Sequence, residues 1–288
     1  MRLGHQRHGE LHHALHLLRE EPCHSLCQLL RALDDQLVVD LQNKPGKAST
    51  GYMTSLPSLK APFVFSCFNH TIFDMQVLTH ELGHAFAGYM AMRSQPISDY
   101  YSESTDIAEI HSMSMEQFAY PYAEWFFGDQ ADKFRFAHLQ EAITFVPFGV
   151  AVDEFQHICY AHPELTPKER TYQWHLLEEK YMPWRKYDND PFMERGGYWY
   201  HKLHIYLYPF YYINYTLTTM GAMEFKKKYA ENRDAAWQDY LKLCKTGGSR
   251  SYLETLRYSN LSNPFAAGSV ARACGYAAEI LLEQIAAF

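Results

Sequence analysis

His80-Glu81-Leu82-Gly83-His84-Ala85-Phe86-Ala87-Gly88-Tyr89-Met90-Ala91-Met92 is the stretch on which the reading of this chain turns. On a helix, His80 and His84 stand at i and i+4, so both imidazoles leave one face and can grip a single metal ion. Glu81 lies beside the first of them, where its carboxylate can reach a water held by that ion. Neutral imidazole suits zinc, and a helical H-E-x-x-H is the pattern of zinc-dependent peptide hydrolysis. The chain has 16 His, so the match can arise by chance and needs a third ligand in the right surroundings.

A third ligand is in reach. After the helix comes a polar break, Arg93-Ser94-Gln95-Pro96-Ile97-Ser98-Asp99, in which Pro96 predicts a stop. A second helical stretch is expected from about Ser104 to Phe127, with Ser104 or Thr105 as its cap and Asp106 favourable to the dipole in its first turn. Glu109 is two helical turns before Glu116, so the two carboxylates share a face. A His80/His84/Glu109 set would leave the fourth position of a tetrahedral zinc open to water. The competing reading of Glu109 and Glu116, a solvated acidic face, loses ground beside H-E-x-x-H.

With these residues in view, the chain resembles the oligoendopeptidase F and thimet oligopeptidase family of zinc metallopeptidases. His80-Glu81-Leu82-Gly83-His84 matches the family's helical H-E-x-G-H, and Glu109 follows the second His by twenty-five residues. The resemblance implies that Glu109 is the third ligand, that Glu81 handles protons, and that Glu116 supports a ligand His from behind. The family often has Pro-Ser-Gln just after the third ligand, where this chain has Ile110-His111-Ser112. The implied fold is mostly α-helical, a zincin-type catalytic domain with a small strand pair ahead of the H-E-x-x-H helix.

The 288 residues allow one large or two ordinary domains. Hydrophobic content of 47% and charged content of 20% are ordinary for a globular chain. Aromatic content is 16%, with 22 Tyr, which hints at a tyrosine-lined cavity. The net charge of -7 argues against a nucleic-acid partner, which wants a basic patch. Cys23, Cys27, Cys67, Cys159, Cys244 and Cys274 contain no C-x-x-C pair and read as reduced thiols. The N-terminus lacks an apolar signal region and no run of eighteen apolar residues exists, so a cytoplasmic chain with no membrane partner is expected.

Residues 1–30 fit poorly with the rest. They hold six His, at 5, 8, 12, 13, 16 and 24. His12 and His16 are i and i+4, but a surface helix with incidental His explains them better than a second metal site. Asp34 to Leu41 has helix-like apolar spacing, and Asn43 to Tyr52 is a turn-rich loop. Lys47, Gly51, Tyr52, Ala61-Pro62-Phe63-Val64-Phe65-Ser66 and Asn69 are similar to a family loop and strand pair. Phe63 to Phe68 predicts a short strand. As an edge strand it could pair with an extended peptide through its main chain, which makes Phe65 and Ser66 candidates for substrate contact; an ordinary buried strand reads as well from pattern alone.

Residues 131–182 are helical in pattern almost throughout. Val152 to His157 reads as structural, and Thr166-Pro167 as a helix cap and first position. Gly196-Gly197 then opens a segment running through His201 and His204 to Tyr215. Tyr208, Tyr212 and Tyr215 fall at i, i+4 and i+7, one stripe of a helix. Aromatic stripes are more often core than catalytic. The resemblance reverses that, implying that His204 (with His201 as rival), Tyr208 and Tyr215 stabilise an oxyanion across the cleft and that Tyr212 touches substrate. Gly221 to Phe225 extends the tyrosine helix, Gly247-Gly248-Ser249 breaks to a turn, and residues 269–288 form a final amphipathic helix.

The resemblance covers residues 31–288, a catalytic metallopeptidase domain, and residues 1–30 are set apart as an atypical segment. Family members run to roughly twice this length, their N-terminal half walling a deep channel. A truncated or re-started frame lacking that half is therefore expected. The reading is a zinc-dependent endopeptidase, one zinc per chain, acting on oligopeptides. The rivals are an inactive peptide- or zinc-binding remnant and a different zinc hydrolase such as an exopeptidase.

Overall fold

The computed structural model describes residues 38–286 apart from Ser49 and His70. The segment 1–30, with its His12 and His16, lies outside the described residues.

Three short strands come first: β1 (Val38–Asp40), β2 (Tyr52–Leu56) and β3 (Ala61–Phe65). The sheet order is β1-β3-β2, with β1 parallel and β2 antiparallel to β3. Two expectations are corrected here. The sheet has three strands rather than a pair, because Val38-Val39-Asp40 pairs with Phe63-Val64-Phe65 instead of continuing a helix. β-Branched neighbours with a long-range partner override a helix-like spacing. Phe65 also sits on a central strand, so its main chain is already used on both sides and no edge is free there. The outer strand on this side is β2.

Ten helices follow among the described residues. α1 (Ile72–Ser94) carries the H-E-x-x-H stretch. Its start is fastened by Asp74, whose carboxylate accepts the backbone N–H groups of Asn69 at 3.0 Å and Thr71 at 3.3 Å. α2 (Thr105–Phe118) is shorter than expected. Pro121 lies in a 3-10 turn, Tyr120–Tyr122, and a separate α3 (Ala123–Phe127) follows. α4 (Ala131–Ala161) and α5 (Pro167–Tyr181) realise the long helical stretch, with Thr166 capping α5 through Glu169 and Pro167 in its first turn. After a 3-10 turn at Gly197–His201 come α6 (Leu203–Leu207), α7 (Ile213–Glu231), α8 (Arg233–Thr246), α9 (Tyr252–Tyr258) and α10 (Ser269–Ala286). No helix of the described residues is long and apolar enough to cross a membrane.

The packing is built around α7, which lies against α2, α10, α4 and α8, while α1 packs on α2 and α8. One core joins Leu78, Leu82 and Phe86 of α1 to Ile107, Ile110 and Phe118 of α2, Phe225 of α7 and Trp237, Tyr240 and Leu243 of α8. A second joins α4, α7 and α10 through Leu139, Val146, Met220, Met223, Ala277 and Leu281. A third gathers Phe148, Val152, Phe155, Trp174, Trp199 and Tyr212. Two glycines set the helix spacing. A side chain on Gly83 would meet Ser112 Cα at 2.6 Å and the His111 carbonyl oxygen at 2.7 Å, so its bare Cα lets α1 and α2 come this close. A side chain on Gly149 would meet Thr216 Oγ1 at 1.9 Å, which lets α4 close on α7 beside Tyr215.

Candidate metal centre

The contact at Gly83 brings the apolar faces of α1 and α2 together and carries their polar residues with them. His80 Nε2 lies 3.0 Å from Glu109 Oε2, and His84 Nε2 lies 3.5 Å from the same oxygen. One nitrogen of each His and one Glu109 oxygen all lie within 4.8 Å of one another. An ion held tetrahedrally at about 2.0–2.1 Å from each donor sets its donors roughly 3.3 Å apart. The two shortest separations bracket that value, and two imidazoles with a carboxylate are a donor set that zinc takes. His80, His84 and Glu109 therefore fit a zinc ion.

The surroundings orient these groups. Ser112 Oγ donates to Glu109 Oε2 at 2.9 Å from one turn further along α2. Glu116 Oε1 lies 2.6 Å from His80 Nδ1. A carboxylate can only accept, so Nδ1 carries the proton and Nε2 is the nitrogen turned to the cluster. Burial opposes charge on His80, but hydrogen bonds to Glu109 and Glu116 outweigh it and push its pKa up to about 10. Glu109 shows the counterpart: burial favours its neutral form, yet His80 and His84 hold it well below the usual carboxylate range. His80 and Glu109 thus form an ion pair, and a cation held between them would take the place of the proton on His80 Nε2.

Glu81 points into the same space. It is 6% exposed, and its Oε2 has no hydrogen-bond partner. Burial raises its pKa against the pull of His80 and His84. An orphaned buried carboxylate oxygen is costly, and it is the group expected beside a site that a water or ion would complete. Gly51, at the start of β2, leaves room for it: a side chain there would meet Val77 Cγ1 at 2.9 Å and Glu81 Oε1 at 3.3 Å.

His111, two residues after Glu109, takes no part in the cluster. It is fully buried, with Nδ1 2.8 Å from Glu103 Oε1 and its ring edge-on to Tyr240.

The tyrosine segment departs from expectation. Tyr208, Tyr212 and Tyr215 do not share one helix. α6 ends at Leu207, and Pro209 together with a left-handed Phe210 (φ 61°) turns the chain before α7 begins at Ile213. Gln156 of α4 holds this turn by accepting the Phe210 N–H at 2.9 Å. Tyr208 is 59% exposed. Tyr212, expected to touch substrate, is instead buried against Phe145 and Phe148. His204, and not His201, lies among the tyrosines, with ring centroids 5.1 Å from Tyr212 and 6.1 Å from Tyr215; the His201 ring stands on Tyr198. The Tyr215 hydroxyl keeps its proton: burial, a 3.3 Å contact with the Tyr211 hydroxyl and the charge of Glu109 all raise its pKa.

Phe65 is half-buried, stacked on Tyr52 with Lys47 over its other face. Ser66 is 5% exposed, its N–H donating to the Asp40 carbonyl and its own carbonyl accepting from Lys47 Nζ. Neither residue has main chain left for an extended peptide. Ser112, three residues after Glu109 on the same helical face, could have been found from its spacing. Tyr211 and His138, which lies 2.6 Å from the second oxygen of Glu116, carry no such local signal.

Over 228 residues the chain is 26% identical to an oligoendopeptidase F homologue of Borreliella burgdorferi, covering 77% of this chain and 38% of that protein. Among solved structures, PZ peptidase A with an inhibitor superposes with a TM-score of 0.84 at 42% identity, over 96% of this chain and 49% of that one. An oligoendopeptidase F from Bacillus anthracis gives 0.75 at 38% identity, over 96% and 45%. The chain thus spans half or less of the length of the relatives it matches. The mostly helical fold with its small sheet is theirs, and the family model for peptidase family M3 matches residues 29–273, so this chain belongs to peptidase family M3.

Proposed function

We propose that residues 31–288 form the catalytic part of a zinc-dependent endopeptidase that hydrolyses internal bonds of short peptides, in the cytoplasm. The observation that carries this is the convergence of His80, His84 and Glu109 around one point, with the unpartnered oxygen of Glu81 beside it. His80 Nε2, His84 Nε2 and Glu109 would hold one zinc. When bound, zinc would supply Lewis-acid polarisation of the scissile carbonyl and acidify the attacking water.

The chain's own residues would do the rest. Glu81, its proton affinity raised by burial, takes the proton of the attacking water and passes it to the leaving amine. Tyr215 donates its hydroxyl proton to the developing oxyanion, steadied by Tyr211 and assisted by His204. Tyr208 would join from its exposed position. Ser112 and Glu116 keep the ligands in place. An extended substrate would lie along the outer strand β2, where Gly51 comes close to Glu81.

The test is zinc content and cleavage of a peptide blocked at both ends, for the parent, His84→Ala and Glu81→Gln. The expected result is one zinc per chain in the parent and in Glu81→Gln, and none in His84→Ala. Internal cleavage is expected only in the parent, with Glu81→Gln down by about 10²–10⁴-fold. Equal turnover in Glu81→Gln would sink the mechanism. Zinc without any cleavage would favour the binding remnant, and failure on blocked peptides alone would favour an exopeptidase.

A further inference from the structure

The carboxylate of Glu116 has two oxygens, and only one is spent on His80. The other lies 2.6 Å from His138 Nε2, on α4. On the far side of that ring, His138 Nδ1 lies 2.7 Å from the Tyr120 hydroxyl. Glu116, His138 and Tyr120 are each 7–8% exposed, so water does not compete for these bonds.

The donors in this row converge on the Glu116 carboxylate. Glu116 can only accept, so His138 carries its proton on Nε2 and His80 carries one on Nδ1. With the ring proton on Nε2, His138 Nδ1 accepts from the Tyr120 hydroxyl. The bonds from Tyr120 and His138 thus run toward Glu116, which accepts from His80 on its other oxygen, and His80 Nε2 is left as the nitrogen facing Glu109 and His84. Tyr120 is itself anchored. Its carbonyl accepts from Arg135 Nε at 3.1 Å and Nη2 at 2.9 Å, and Lys226 Nζ sits 3.7 Å over its ring. The His138 ring is stacked on Phe134, 5.5 Å between centroids.

We propose that His138 and Tyr120 are positioning residues of the metal centre: through Glu116 they fix the tautomer and orientation in which His80 meets the ion. The inference rests on the zinc reading above. Without His138 one oxygen of Glu116 is buried unpaired and the carboxylate is free to rotate, so His80 loses its fixed partner. Glutamine at the same position can donate its amide N–H to Glu116 and accept from Tyr120, whereas leucine can do neither.

The experiment measures the zinc dissociation constant of the full 288-residue chain by competition with a chromogenic chelator. Thermal midpoints are recorded alongside, for the parent, His138→Leu, His138→Gln and Tyr120→Phe. His138→Leu is expected to weaken zinc by about 10–100-fold. His138→Gln should stay within a few-fold of the parent, and Tyr120→Phe should fall between the two. A folded His138→Leu that binds zinc as tightly as the parent, with only its midpoint lowered, overturns the inference and leaves the zinc reading standing. If the leucine variant does not fold, Tyr120→Phe decides: unchanged zinc affinity there overturns the row of bonds. A parent chain that binds no zinc overturns the metal reading itself, before any variant is made.

Discussion

The two halves of the candidate site are built differently. His80, Glu81, His84, Glu109 and Glu116 project from two helices clasped at Gly83, and Glu116 and Ser112 hold His80 and Glu109 from behind. His204, Tyr208, Tyr211 and Tyr215 sit on a short helix, a proline turn and the first turn of α7, with Tyr208 and Leu207 about 60% exposed. The first half is a rigid frame. The second is a turn held from α4 by the Gln156 contact to the Phe210 N–H and by the Phe210 ring against His157 and Tyr160. Positioning by helical period is settled locally, whereas positioning by a turn needs a distant anchor to define it.

This contrast can be broken at the tyrosines first. Tyr215, half-buried and within the field of Glu109, should matter far more than Tyr208. Tyr215→Phe is expected to cost kcat about 10²–10³-fold, or about 2.7–4 kcal/mol, with zinc content unchanged. Tyr208→Phe should cost much less, and steady-state kinetics showing the reverse order would move the oxyanion role to the exposed residue. At the frame, Gly83→Ala forces a methyl against Ser112 Cα and should destabilise the fold by about 1–3 kcal/mol, read by urea denaturation, while loosening zinc. Normal stability and zinc affinity in that variant would show that the helices are not clasped there. The smallest effect is expected from Gln156→Leu, which leaves the Phe210 N–H without its acceptor, at about 1 kcal/mol. Its kcat should drop while zinc affinity stays put, and coupled loss of both would show that the two halves are one unit.

The same division governs what was legible in the sequence. His80 with His84, Glu109 with Glu116, and Thr166 with Pro167 are pairs whose geometry follows from a helix alone, and the structure has them as spaced. The tyrosine stripe failed although a signal was present. Pro209 cannot continue a helix through residues 208–215, and it pushes Tyr208 out of the helical region (φ -137°). β1 failed because Val38 and Val39 owe their conformation to Phe63 and Val64, more than twenty residues away. Ser66 and Tyr212 are buried, which the sequence does not show, because nothing local says which polar or aromatic group the core will absorb. His138 meets Glu116 across twenty-two residues and two elements, a distance that no periodicity spans.

The unpartnered oxygen of Glu81 has a consequence for the evolution of such a chain. A buried carboxylate that could be replaced by an apolar group of similar size stands against stability, by about 1–3 kcal/mol. Glu81→Leu should therefore melt higher than the parent while catalysing nothing. Selection for robustness alone would erase this residue, so a glutamate kept at that place marks a protein held to its chemistry at some expense of its fold.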